Sequence, residues 1–233
     1  IGSQEVLKFQ LDELLEALAG YGVVGVGRDD GDTAGEYAAI LYKIDRLELL
    51  EQETFWLSDT PSVPASASWG NTIPRICTWA RFADRQSGVA FYVYNVHLDH
   101  QSQPSRELSV ELLSDHIYGR AHPDQYILTG DFNAGESNPA MRYLRGETNR
   151  AHELSTDAPR PLGMRDTFRA LHATATAVGT FNGFAGTTTG EKIDAVLVSD
   201  KWGIRQAEII RTAVDGRYPS DHFPVVATLT ISP

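Results

Sequence analysis

"YILTGDFNAG", residues 126–135, decides how the chain is read. The apolar run Tyr126-Ile127-Leu128 passes through Thr129 and Gly130 and stops at Asp131-Phe132-Asn133. In an extended chain, side chains two apart share a face. Asp131 and Asn133 are therefore expected to point one way and Phe132 the other, into the packing behind. A buried-looking strand with this ending either starts a polar loop or aims two oxygen-bearing groups at a common target.

The same peculiarity recurs elsewhere. "YVYNVHLDH" puts Asn95, His97 and Asp99 on one face at period two. "KIDAVLVS" places Asp194 ahead of an apolar strand, and Ser220-Asp221-His222 leads into "FPVVATLTI". At the other end, "IGSQEV" sets Glu5 after a short apolar start. Taken singly, each group is a turn former, a helix cap or a hydrogen-bonded core histidine. Their convergence argues otherwise, because burying so many polar groups separately is costly unless they are paired or bind a metal. Carboxylates and an amide oxygen are hard ligands that suit Mg²⁺ or Mn²⁺, ions that keep several waters and engage phosphate oxygens. A His–Asp pair moves protons, the carboxylate fixing the imidazole tautomer. Metal-assisted hydrolysis of a phosphoester follows from that combination. A zinc site built from His97, Asp99 and His100 is geometrically poor, since neighbouring strand residues point to opposite faces.

Around these motifs the chain alternates helical and extended patterns. Residues 7–20 place Leu11, Leu14, Leu15 and Leu18 on one helical face, with Gly20 as a C-cap. "YGVVGVG", "YAAILYK", "LELLEQETFWL", "RICTWARF" and "VAFYVYNVHLDH" read as strands, the last two joined by a turn over Asp84–Gly88. "SRELSVELLSDHIYG" reads as a helix with Ser105 as N-cap, and Asn138-Pro139 opens another. Residues 58–74, rich in proline and small residues, form a long irregular loop of a kind that is often functional. Trp56 and Trp69 near its ends can wall a pocket or simply pack. With no repeats or clear linkers, one mixed α/β domain over residues 1–233 is the simplest organisation.

Composition narrows the function classes. The 233 residues carry a net charge of −11, with 31 acidic against 20 basic residues and no basic stripe, which weakens the case for a nucleic-acid partner. A single cysteine, Cys77, excludes an intramolecular disulfide and a multi-cysteine zinc site. No apolar run approaches the length of a membrane-spanning helix. Because the sequence starts at Ile1, a cytoplasmic or a secreted location stays open.

With the pieces in order, "QEV", "VGRDDG…GE", "TFWLSDTP", "PRICTWA", "NVHLDH", "LTGDFNA", "GTFNGF", "KIDAVLVS" and "GRYPSDHFPVVA" resemble the endonuclease/exonuclease/phosphatase superfamily, the DNase-I-like fold, from end to end. The middle motifs are similar to a group of bacterial metal-dependent hydrolases within it. The resemblance implies a four-layer sandwich of two packed β-sheets flanked by helices, with the site where strand-end loops meet. It implies Glu5 as principal metal ligand and Asp221 as a second metal-side carboxylate. His97 would contact the scissile phosphate, and Asp131 and Asn133 would orient or deprotonate water and hold phosphate and metal oxygens. Asp194 would pair with the catalytic imidazole, His222. Whether Asp131 or His222 takes the proton is left open by the resemblance. Arg28 and Arg75, in motifs particular to the subgroup, are expected to include a bidentate phosphate ligand. The family pattern begins with a further strand and helix, which this sequence lacks ahead of "IGSQEV".

The resulting expectation is a Mg²⁺- or Mn²⁺-dependent phosphoesterase acting on a phosphomonoester or phosphodiester by in-line water attack. The acidic balance favours a small phosphorylated substrate (a phospho-sugar, nucleotide or lipid headgroup). A nuclease acting on DNA or RNA is the alternative within the class, and a non-catalytic binding module is the alternative outside it. The sequence does not fix the oligomeric state.

Overall fold

A computed structural model describes residues 1–231 of the chain. In order, the first elements are α1 (Lys8–Ala17), β1 (Tyr21–Val24), β2 (Ile40–Lys43), β3 (Leu47–Trp56), β4 (Ile76–Asp84) and β5 (Ala90–His97). They are followed by α2 (Gln103–Tyr118), β6 (Gln125–Asp131), α3 (Pro139–Leu144), β7 (Arg165–Asp166) and α4 (Thr167–Leu171). The chain closes with β8 (Asp194–Val198), β9 (Gly203–Ile209) and β10 (Val225–Thr230).

Six strands in the order β3-β4-β5-β6-β8-β7 form the central sheet. Its pairings are antiparallel except β5 with β6, which α2 connects as a crossover. The period-two pattern of β5 sorts its side chains between two cores. Tyr92, Tyr94 and Val96 pack with Val110 and Leu113 of α2 and Met141 of α3. Phe91 and Val93 instead join Val24, Ile40, Trp202 and Leu229 on the opposite face. That opposite face is covered by two separate antiparallel ribbons, β1–β2 and β9–β10. Leu11 of α1 packs on Leu41 and Val23 outside the first ribbon. The stack is thus helices, central sheet, ribbons and helix, in agreement with the four-layer architecture that the sequence implied. Among the described residues no strand joins the two ribbons. A groove of about 600 Å³ lies between them, lined by Ile40, Tyr42, Phe82, Phe91, Trp202 and Leu229 among others.

Local details follow the sequence signals with three exceptions, the first being that α1 ends at Ala17 with Leu18, not Gly20, as its C-cap. Asn138 caps α3, accepting a hydrogen bond from the Ala140 amide. The Asp84 carboxylate closes the β4–β5 turn by accepting from the Gln86 amide and the Ser87 hydroxyl. The N-cap of α2, however, is Ser102, whose hydroxyl accepts from the amide of Ser105, while Ser105 itself is buried in the first turn. Pro104 explains the difference: it belongs in the first turn of a helix, which places the cap ahead of it. Strand β9 carries no clean alternation because a bulge opposite Thr228 and Leu229 adds Arg205 to one side of the ladder.

Candidate active site

The central sheet brings three of the expected residues into one row. His97 ends β5 opposite Asp131 of β6, and Asp131 stands opposite Asp194, the first residue of β8. Period two puts all three on the ribbon-facing side, where Val93, Ile127 and Val196 also lie. Phe132 turns the other way, fully buried among the residues packed under α2 and α3. β6 approaches β5 closely enough here that a Cβ at Gly130 would collide with the Val96 carbonyl oxygen. Beyond Asp131 the strand stops. Asn133 takes a left-handed backbone (φ 45°), its amide donates to Asp131 Oδ1 at 2.8 Å, and its side-chain Nδ2 donates to the Leu98 carbonyl at 2.9 Å. The two polar groups of the opening motif are therefore coupled through a tight turn and not through continued strand alternation.

Asp194 is held at both ends. The Thr180 hydroxyl accepts from the amides of Ile193 and Asp194, and the Phe132 amide donates to the Ile193 carbonyl. Its carboxylate meets His222 Nδ1 at 2.8 Å, leaving Nε2 facing the site, 4.0 Å from Asp131 Oδ2. Phe181 sets its ring edge-on to the His222 imidazole at 5.2 Å and bridges to its backbone. Behind this wall, the buried Lys192 ammonium sits 2.6 Å from Asp166, and Arg169 grips Glu136 at 2.6 and 2.7 Å. That network pins the segment after Asn133 to the segment before Asp194.

Across the site, residues 1–6 run beside β2, with bridges from Gly2 to Ile40 and from Val6 to Tyr37. Glu5 sits there in a left-handed conformation (φ 59°) with its side chain exposed. A non-glycine residue held in this region carries strain that its surroundings must impose. Its carboxylate lies 3.8 Å from His97 Nε2, and Asp131 Oδ2 lies 3.6 Å from the same nitrogen. Both separations are too long for hydrogen bonds. The buried His97 imidazole thus stands between two acids without bonding either.

Charges in the site act on one another. Burial, and then the neighbouring Asp194 carboxylate, raise Asp131 to about 7 against the lowering pull of the Asn133 amide. Burial opposes charging of His222, but its hydrogen bond to Asp194 and the charges of Asp194, Asp131 and Asp221 outweigh that and raise it to about 9. His97 is pushed well down by burial and then by the nearby Arg75 and Arg28 guanidinium groups, so it stays neutral.

Two clusters have the composition of a cation site: Glu5, Glu36 and His97, and Asp131, Asp194 and His222. A buried carboxyl raised by its neighbouring carboxylate, as Asp131 is by Asp194, is what a divalent cation relieves, so the donor set fits Mg²⁺ or Mn²⁺. Asp221 belongs to neither cluster; it lines a shallow cleft with Glu5 and offers its backbone carbonyl to the amides of Asn182 and Gly183. Glu36, Thr180 and Phe181 escaped the residue-by-residue reading, although all three lie inside quoted motifs. Arg28 and Arg75 converge beside His97, the first 2.7 Å from Glu36 and the second buried against Asp99 at 3.3 Å. Trp56 is buried and spends its indole N–H on the Arg28 carbonyl, and Trp69 donates to Asp59. Trp69 therefore braces the 58–74 loop, and Trp56 ties β3 to the segment that carries Arg28.

Residues 4–222 match the Endonuclease/Exonuclease/phosphatase family. A mannosyl-6-phosphatase from Bacteroides thetaiotaomicron superposes with a TM-score of 0.82 at 33% identity, covering 99% of this chain and 84% of that one. An endonuclease/exonuclease/phosphatase from Bacteroides vulgatus superposes at 0.85 with 33% identity and the same coverage, 99% and 84%. An uncharacterised protein of Acanthamoeba polyphaga mimivirus is 31% identical over 141 residues, which span 57% of this chain and about half, 52%, of that relative.

Proposed function

The chain belongs to the endonuclease/exonuclease/phosphatase family, and from that premise we propose that it is a divalent-metal-dependent phosphoesterase acting on a small phosphorylated substrate. The observation that carries this reading is the row His97–Asp131–Asp194 with His222 hydrogen-bonded at its end. It sets a water-directed carboxyl and an oriented imidazole beside a cluster of hard oxygen ligands. Glu5, with Asp221 along the same cleft, would hold Mg²⁺ or Mn²⁺ on one wall. When bound, the cation neutralises charge on phosphoryl and leaving oxygens.

The remaining work belongs to the chain. Asp131, poised near neutrality, takes the proton of the attacking water. Asn133 and neutral His97 orient phosphoryl oxygens, and His222, kept protonated by Asp194, stabilises the charge that develops on them. A net charge of −11 without a basic stripe supports a small substrate, as does the 33% identity to a mannosyl-6-phosphatase. Among the described residues no helix is long and apolar enough to cross a membrane.

The reading is tested with a panel of phosphomonoesters and phosphodiesters in Mg²⁺ or Mn²⁺. Turnover is expected with the metal, loss with a chelator and recovery on adding either ion back. A double Asp131→Ala, His222→Ala variant that keeps its fold is expected to lose at least about a thousandfold. Failure of the wild type on the whole panel leaves the non-catalytic module as the reading.

A further inference from the structure

Beside His97 the site narrows to a closed end. Arg28, Glu36, Tyr37, Ala38, Arg75 and Ile76 enclose, with His97, a void of about 10 Å³. That is room for about one water-sized atom. Both guanidinium groups are largely withdrawn from solvent, with side-chain exposures of 12% for Arg28 and 3% for Arg75. Each is fixed by part of its fork only. Arg28 spends Nη1 on Glu36, and its Nε is sealed from solvent with no acceptor. Arg75 spends Nε on Asp99 and Nη2 on His100 Nδ1, and its Nη1 has no partner among the described residues. Glu36 and Asp99 thus act as orienting acids, and both arginines line the void with part of their forks unspent. Leaving the sealed Arg28 Nε unpaired is expensive, so this end suits an acceptor of one atom's size that carries charge.

We propose that Arg28 and Arg75 form a cradle for the third terminal oxygen of a phosphomonoester, which makes the chain a monoesterase rather than a diesterase. The proposal rests on the phosphoesterase reading above and narrows it. A monoester presents three terminal oxygens. Two would be accounted for by the cation that the acids would hold and by His97, Asn133 and His222, and the third meets the guanidinium pair. In a diester that position carries an alkoxy group, which is too large for the void and offers no charge to the two forks. Sites built around buried donors reject analogues that lack the matching acceptor far more strongly than apolar pockets reject an extra methylene. The reaction is then one displacement. A water oxygen bonds to phosphorus, the ester P–O bond breaks, and the alcohol leaves with a proton, giving alcohol and inorganic phosphate.

The test compares 4-nitrophenyl phosphate with methyl 4-nitrophenyl phosphate, which share a leaving group, for the wild type and for Arg28→Met in the same metal. The expected wild-type preference for the monoester in kcat/KM is at least about a hundredfold beyond the uncatalysed ratio. Arg28→Met is expected to lose at least about tenfold on the monoester and little on the diester, collapsing the preference. Weaker competitive inhibition by inorganic phosphate, with unchanged inhibition by dimethyl phosphate, should accompany it. Arg75→Lys serves as the second variant because it keeps a charge against Asp99. It is expected to fold and to lose monoester preference in the same direction. Equal or faster diester turnover by the wild type overturns the cradle while leaving the phosphoesterase standing, and so does an equal loss on both esters in Arg28→Met. Hydrolysis of neither ester, nor of any panel member, removes both readings.

Discussion

His222 shows what one hydrogen bond does in a buried site. Its pairing with Asp194 and the surrounding carboxylates raise the imidazole to about 9, despite partial burial that favours the neutral ring. Asp194→Asn removes the main partner while keeping the shape. In chelator, the His222 ring is expected to titrate near 9 in the wild type and at or below the ordinary histidine range, about 6.5, in the variant. NMR of the imidazole protons reads this directly, and an unmoved titration would show that Asp194 is not what charges the ring. The linkage has a definite sign. A pKa raised on folding contributes stability that is complete below about 6.5 and is lost as pH rises through about 9. The stability gap between wild type and variant should therefore narrow across that window, in denaturant melts run at a series of pH values. Much at this scale was legible in the sequence, because Asp131, Phe132 and the residues before them obey period two. Asn133 was named from the same alternation, but it is the left-handed turn at Asn133 that sets its place beside Asp131. Glu36 was hidden: it lies in a glycine- and aspartate-rich loop with no period, and its place beside Glu5 and His97 shows only in the folded chain.

Elements position these groups through buried charges as well as through strand ladders. Lys192 and Asp166 are both sealed from water at 2.6 Å, with Glu136 3.9 Å from the ammonium and Arg169 on its far side. They join the entrance of β8, the start of α4 and the turn after β6 at one point. Lys192→Met leaves the Asp166 carboxylate buried without its counter-ion, and the expected loss is about 3–5 kcal/mol in chemical denaturation. A loss under about 1 kcal/mol would place the anchoring of β8 elsewhere. Helices and strands with strong local signals were readable from sequence, such as α3 with its Asn-Pro start and the β4–β5 hairpin with its polar turn. Strand β9 was not, because its bulge destroys the alternation that marks a half-buried strand. The α2 cap slipped by one turn for a local reason: two serines flank a proline, and only the first is free to lie outside the helix.

For the whole molecule, the central sheet is continuous, whereas among the described residues the layer above it consists of two separate ribbons. Glu5 travels with the first ribbon, His222 enters the second, and Asp131 and Asp194 belong to the sheet beneath. The site is therefore a joint between three bodies. Each ribbon has two strands and borrows stability from its seat on the sheet, and units of that size open more readily than the core they rest on. Activity is accordingly expected to vanish at a lower denaturant concentration than the far-ultraviolet circular dichroism of the sheet; superimposed curves would mean that the layers melt as one. Amide exchange in β1–β2 and β9–β10 should outpace exchange in β4–β5–β6 for the same reason. A ligand that spans Arg28 on one side and His222 on the other binds only the assembled joint, so by mass action it closes both ribbons. On the proposed reading a substrate would double as a brace: slowed exchange in the ribbons would report occupancy, readable without any catalytic turnover.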